Sequence, residues 1–267
     1  MLNNITIGAY IPVNSIIHRL HPLAKILSLI LLLTGVFLIH NIMVFLVSTL
    51  FILILILIAR LSPLQLVKQI KVLYFMFIFL FILNIFMLRT GEVALIIKGY
   101  PIYWQAINQT IIILFRLISM IILSSILTMS TKPLDLTLGI EQCFMPLKRF
   151  HFPAHEIAMM ISIALRFIPT LVEETNKIMI AQTSRGVDFK SNKFKVKIKA
   201  VIALLIPLFV ASFKRAEELA NAMEARGYNP SAQRTRFIKH EWRYQDSIVL
   251  MVGILYLGSI ICYLIIK

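Results

Sequence analysis

Two arginine-glycine pairs, Arg185-Gly186 and Arg226-Gly227, carry the most suggestive chemistry in this chain. Each follows a small residue, Ser184 or Ala225, and each closes a long run of helical periodicity. Glycine just past a helix end takes the left-handed conformation that closes the helix, and a cation in the last turn sits favourably against the negative end of the dipole. For a single copy that account suffices. Two copies on successive amphipathic helices suggest a further use, because a planar five-donor guanidinium on a rigid tip suits a partner's groove lined by carboxylates or helix-end carbonyls. The pairs therefore read as two docking plugs.

The remaining reactive side chains offer less. His151 and His155 stand at i,i+4 spacing, but Pro153 lies between them and Glu156 is a poor third ligand. No metal site is expected there, nor at His18 and His21. Cys143 lies in a stretch of mixed polarity and Cys262 in an apolar run, so both read as packing cysteines. No Gly-rich phosphate loop G-x-x-x-x-G-K-S/T occurs, so ATP would have to be bound elsewhere. Arg116 is a cation inside an apolar run, where charge costs at least ~2.5 kcal/mol unless paired or turned to the protein interior. Asp135, Glu141, another acid or a backbone carbonyl are its candidate partners, and structural support is favoured over a transport role. The pairs Glu173–Lys177 and Lys214–Glu218 read as solvated helix faces.

Both arginine tips need helices to position them. Ile157, Met160, Ile161, Ala164, Leu165 and Ile168 share one face of a helix from about Ala154 to Arg185. Val201, Leu204, Leu205, Leu208 and Phe209 do the same from about Lys197 to Arg226. Pro169 and Pro207, each preceded by isoleucine, lie inside these helices and are expected to kink them by removing a backbone hydrogen bond. A shorter helix, Leu134 to Met145, is bracketed by Pro133 and Pro146.

The rest of the chain is lipid-compatible. Of its 267 residues 59% are hydrophobic, and the mean hydropathy is +0.87, more than a water-soluble monomer could bury. The apolar blocks are Ile26–Ile58, broken at His40-Asn41 and so read as a hairpin with a short first helix, then Val72–Leu88, Ile107–Met129 and Ile248–Ile266. Basic residues preceding the first block could be mistaken for a secretory leader, but no small-residue cleavage pattern follows, and an uncleaved segment is expected.

The predicted fold class is an all-α membrane protein, with about five membrane-embedded helices plus three cytoplasmic-side amphipathic coupling helices. Its divisions are an N-terminal segment 1–24, a four-helix membrane domain 25–130, a coupling domain 131–245 and a final span 246–267. The net charge of +15, from 27 Lys and Arg against 12 Asp and Glu, fits basic cytoplasmic loops and accompanies no nucleic-acid module. Most of that charge lies between Lys132 and Arg243, including Lys190 to Lys199 and the group Arg234, Arg236, Lys239. This places the coupling domain and the N-terminus inside, the 89–104 loop with Arg89 and Lys98 outside, and the C-terminus outside.

Several motifs then point to a family. They are Tyr10-Ile11-Pro12, Ser15, His18-Arg19-Leu20 with Pro22 and Lys25, Ala164 to Pro169 with Glu173-Glu174, Ser184-Arg185-Gly186, Arg215 to Ala220, and Met223 to Tyr228. Together they cover most of a chain that resembles the transmembrane coupling component of energy-coupling factor transporters, prokaryotic importers of vitamins and metals. The family's two short signatures read Ala-Arg-Gly. Here the first carries serine, nearly as small, and His21 stands where the N-terminal motif has aspartate, so an ion pair there is not expected.

The resemblance implies a non-catalytic scaffold in a prokaryotic cell membrane. Its partners would be two ABC-type ATPase subunits, one membrane-embedded substrate-binding component and the bilayer, with no nucleic acid. It implies no cofactor on this chain, ATP and Mg being held by partner subunits. Ser184, Arg185, Gly186, Ala225, Arg226 and Gly227 would dock the ATPases, while Met159, Met160, Ile163, Phe209 and Phe213 would form the platform for the binding component. A self-sufficient permease or channel is the alternative, but it would line several spans with polar groups, and Asn84 and Arg116 are few. A membrane-embedded enzyme would need converging acids, bases or metal ligands, whereas the acids here are spread along helices.

Overall fold

The computed structural model of the chain describes residues 10–87, 93–97, 100–146, 153–229 and 241–266. Arg89, Lys98, His151 and the basic group Arg234, Arg236 and Lys239 lie outside these residues. The described elements run α1 (Ile16–Arg19), α2 (Pro22–Phe37), α3 (Ile42–Ala59), α4 (Pro63–Val72), α5 (Tyr74–Met87), β1 (Val93–Ile97), β2 (Tyr100–Tyr103) and α6 (Trp104–Ser130). They continue with α7 (Pro133–Phe144), α8 (Ala154–Ser184), α9 (Phe194–Ala225) and α10 (Tyr244–Ile266). Proline opens α2, α4 and α7, where its missing N–H costs no hydrogen bond. The helical class stands, with one short antiparallel β1–β2 hairpin between α5 and α6.

The chain divides into two compact units. One takes its described residues from 10–143 and 241–266, the other from 144–229. In the first, α6 packs against α2, α3, α4 and α5, while α2 also packs along α10. The core gathers Leu32, Val36, Ile39, Ile52, Leu123, Tyr256 and Ile260. Gly35 lets α2 and α10 approach, since a Cβ there would come within 2.5 Å of the Tyr256 ring. Tyr256 stacks on Phe51 at 4.8 Å and donates to the Ser48 hydroxyl at 2.8 Å, tying α10 to α3.

Helix α7 groups with this unit, not with the helices that follow it. The physical reason is again a glycine: Gly139 lies so close to α2 that a Cβ would meet Ile26 at 2.8 Å and the Pro22 backbone at 3.0 Å. Among the described residues, length and composition single out three helices able to cross a membrane: α6 and α10, which fall among the five expected spans, and α9, which the sequence places with the coupling helices. A fourth span would arise if α4 and α5 act together, but they are bent by 59°. The bend follows from composition, because α4 carries Gln65, Lys68, Gln69 and Lys71 while α5 is apolar throughout but for Asn84. A polar-faced turn of helix is stable along an interface and costly inside hydrocarbon. The 16-residue α2 reaches roughly 24 Å, short of the roughly 30 Å hydrocarbon core.

Buried polar groups hold the helix ends together. Lys25, 5% exposed, uses all three ammonium donors, on the His18 carbonyl, the Ser130 carbonyl and the Thr131 hydroxyl, at 3.0–3.2 Å. Arg116 finds a carbonyl and, among the described residues, no acid: its guanidinium donates to Ile39 O at 2.8 Å and lies 5.6 Å over the Phe37 ring. It thereby meets the negative end of α2. The Ser15 hydroxyl donates to His18 Nδ1 at 2.7 Å, while Nε2 donates to the Ile11 carbonyl at 3.1 Å. Burial lowers the His18 pKa, in keeping with the neutral ring this geometry requires.

Candidate functional site: two arginine tips on one helix pair

The second unit is built on α8 and α9, which pack against each other. Both helices end in the same backbone arrangement. After α8, Arg185 is the C-cap, Gly186 has φ +87°, the Gly186 N–H bonds to Thr183 O at 3.0 Å and the Val187 N–H to Gln182 O at 3.0 Å. After α9, Arg226 is the C-cap, Gly227 has φ +70°, the Gly227 N–H bonds to Glu224 O at 2.9 Å and the Tyr228 N–H to Met223 O at 3.0 Å. These are two Schellman closures, in which the left-handed residue is glycine because other residues pay a steric penalty there. No heavy atom lies within 4 Å of a Cβ added at either glycine, so conformation alone demands glycine.

The closures hold both arginines in solvent. Arg185 and Arg226 are exposed, as are Ser184 and Ala225, and neither guanidinium meets an acid among the described residues. The charge of each tip is therefore available to a partner.

A cross-helix ion pair sets the register of the two helices. Arg215 Nη2 donates to Glu174 Oε2 at 2.8 Å, and its guanidinium carbon lies 6.0 Å from the Phe167 ring centroid. Nearer the start of α8, the Tyr228 hydroxyl reaches Met159 Sδ at 3.2 Å. The contacts run in opposite chain order, so the helices are antiparallel and their tips lie at opposite ends of the pair. Glu174 precedes Arg185 by eleven residues, and Arg215 precedes Arg226 by eleven. The ion pair thus stands roughly 16 Å of helix from each tip. Sequence reading missed it, since Glu174 was grouped with Glu173, and the pairing joins residues 41 apart in the chain.

The predicted platform residues separate. Met159 is occupied by Tyr228, and Ile163 is half-buried. Met160, Phe209 and Phe213 are exposed at 58%, 65% and 63%, the two rings packing at 4.9 Å. On α9, Leu204 and Leu208 are half-buried, while Ile198, Val201, Leu205, Phe209 and Phe213 form an exposed apolar stripe. Pro169 and Pro207 lie within helices that continue through them.

Residues 13–237 match the family described as Cobalt transport protein (CbiQ). The chain is 40% identical over 264 residues to a Bacillus subtilis protein named energy-coupling factor transporter transmembrane protein EcfT, covering 99% of both. The chain belongs to the family of energy-coupling factor transmembrane components. Proteins of the same name from Brevibacillus brevis and Ruminiclostridium cellulolyticum are each 43% identical, over 96% and 95% of this chain and 96% and 94% of theirs. Membership makes the chain a membrane transporter component that works within a complex, which agrees with the apolar helices α6, α9 and α10.

Proposed function

We propose that this chain is the mechanical coupler of an ATP-driven importer and performs no catalysis. Arg185 and Arg226 each insert into an ABC-type ATPase subunit that holds ATP and Mg. The α8–α9 pair carries ATPase movement to a separate membrane protein that binds the vitamin or other micronutrient. The observation that carries this reading is the repetition of one closure at both ends of an antiparallel pair, each presenting an exposed arginine that meets no acid among the described residues, at equal distance from the Glu174–Arg215 bridge. A guanidinium placed this way can form bidentate bonds to carboxylates or helix-end carbonyls.

The exposed stripe of α9 is the surface for the substrate-binding component. Its apolar side chains recur every three or four residues from Ile198 to Phe213, roughly 22 Å of helix, and Met160 on α8 adds an adaptable side chain. The basic residues around the pair, Lys190, Lys193, Lys195, Lys197 and Lys199, favour the cytoplasmic side of a prokaryotic cell membrane.

The test is charge reversal. Arg185→Glu with Arg226→Glu, coexpressed with the ATPases and binding component, is expected to reach the membrane at normal levels, to lose co-purifying ATPase and to abolish uptake into proteoliposomes. Normal uptake by the double variant would overturn the proposal.

A further inference from the structure

Within the membrane unit, three arginines to which the coupling role gives no task line one cavity of about 550 Å³. Arg19 ends α1, Arg60 follows α3 and Arg243 precedes α10, so three separate parts of the chain supply them. All three are exposed, and none reaches an acid among the described residues. Asp246 does not neutralise Arg243 by pairing with it. Its carboxylate is buried and bonded by the backbone N–H groups of His21 and Arg243, both at 2.7 Å. Asn14 and Gln245 add amides to the cavity wall.

Arg60 gives an independent sign. It has φ 52° and ψ 31°, the one non-glycine residue with positive φ among the described residues. An L side chain in that conformation is strained where glycine would not be, and such strain concentrates at binding sites. Here it turns the backbone after α3 at the very residue that lends its side chain to the cavity.

The cavity is also continuous with an apolar track. Leu57 lines it and is 75% exposed. Leu53, Leu50 and Leu46 continue from Leu57 along the same face of α3, each more than half exposed, over roughly 16 Å. A cationic basin joined to a lipid-facing leucine stripe matches a molecule with an anionic head and acyl tails. We propose that the cavity binds the phosphodiester headgroup of an anionic phospholipid, with its chains along Leu57, Leu53, Leu50 and Leu46. Arginine forks suit phosphate oxygens, and basic pockets among membrane helices take such heads. A zwitterionic lipid would bring an ammonium towards three like charges, and free phosphate would leave the leucine track unused.

Native mass spectrometry of the full-length protein in detergent tests this, with dioctanoyl phosphatidylglycerol, the matching phosphatidylcholine and inorganic phosphate as probes. Phosphatidylglycerol is expected to bind at least tenfold tighter than phosphatidylcholine. Each of Arg19→Gln, Arg60→Gln and Arg243→Gln should weaken it about fivefold. Arg60→Gly removes the guanidinium and relieves the backbone, so it should lose the same affinity with no fall in Tm. Lys68→Gln with Lys71→Gln, exposed on α4 outside the cavity lining, should leave binding unchanged. The proposal fails if phosphatidylcholine binds equally well, if the triple arginine variant keeps wild-type affinity, or if the lysine variant loses as much. It also fails if phosphate displaces the lipid at equal concentration, which would mark a site for free anions.

Discussion

The ring nitrogen of His21 accepts the Leu23 N–H at 3.2 Å and so caps α2, a task more often given to aspartate, asparagine or serine. His21 itself carries no carboxylate, yet an anion is present at the junction. Asp246, from the first turn of α10, accepts the His21 backbone N–H and also closes its own helix start through the Arg243 N–H. Asp246 is 1% exposed, so its removal leaves one buried and one part-buried donor without this acceptor. Asp246→Ala is therefore expected to cost about 2–4 kcal/mol of stability, and Asp246→Asn less because one oxygen remains. Thermal unfolding in detergent checks this, and an alanine variant that melts with the wild type would remove Asp246 as the bolt between α2 and α10. Arg116 follows the same logic, a charge in apolar surroundings tolerated because a helix-end carbonyl and an aromatic face receive it.

At the scale of elements, α8 and α9 share a closure and a crossing contact, although the spacing from proline to arginine differs between them. What the helices share is the eleven-residue arm from the Glu174–Arg215 bridge to each tip. The two side chains are 28% and 29% exposed, so solvent screens their attraction and the pair contributes at most about 1 kcal/mol to stability. Its larger effect is on register, since sliding either helix by one turn would separate the charges. Glu174→Gln is accordingly expected to keep the ATPases bound and the fold within about 1 kcal/mol of wild type, while uptake per ATP hydrolysed falls several-fold. An unchanged ratio of uptake to hydrolysis would show that the bridge does not transmit the movement.

For the whole molecule, the distribution of charge makes a topological prediction. With Cys143 and Cys262 replaced by alanine, a single Ser184→Cys should react with a membrane-impermeant thiol reagent in inside-out vesicles and not in right-side-out ones. A Val93→Cys on the β-hairpin should show the opposite pattern. Labelling of position 184 from outside would contradict the proposed orientation and, with it, access of the tips to ATP-binding partners. Both positions are exposed, so a lack of reaction reports the barrier and not burial.

Local interactions made much of this legible from sequence alone. Helix ends at Arg185-Gly186 and Arg226-Gly227, the break at His40-Asn41 and the apolar runs that became α6 and α10 depend on near-neighbour hydrogen bonds, proline and glycine conformations and a 3.6-residue period. Those are properties of short segments, so reading the segment suffices. The tertiary structure alone decided which partners meet across the chain: Asp246 with His21 from 225 residues away, Arg215 with Glu174, Arg116 with the Ile39 carbonyl, and three arginines around one cavity. Helices such as α3 and α10 are apolar on every side, so their sequences do not say which face turns towards which neighbour. Close packing at Gly35 and Gly139, together with the few buried polar groups that must find acceptors, makes that choice.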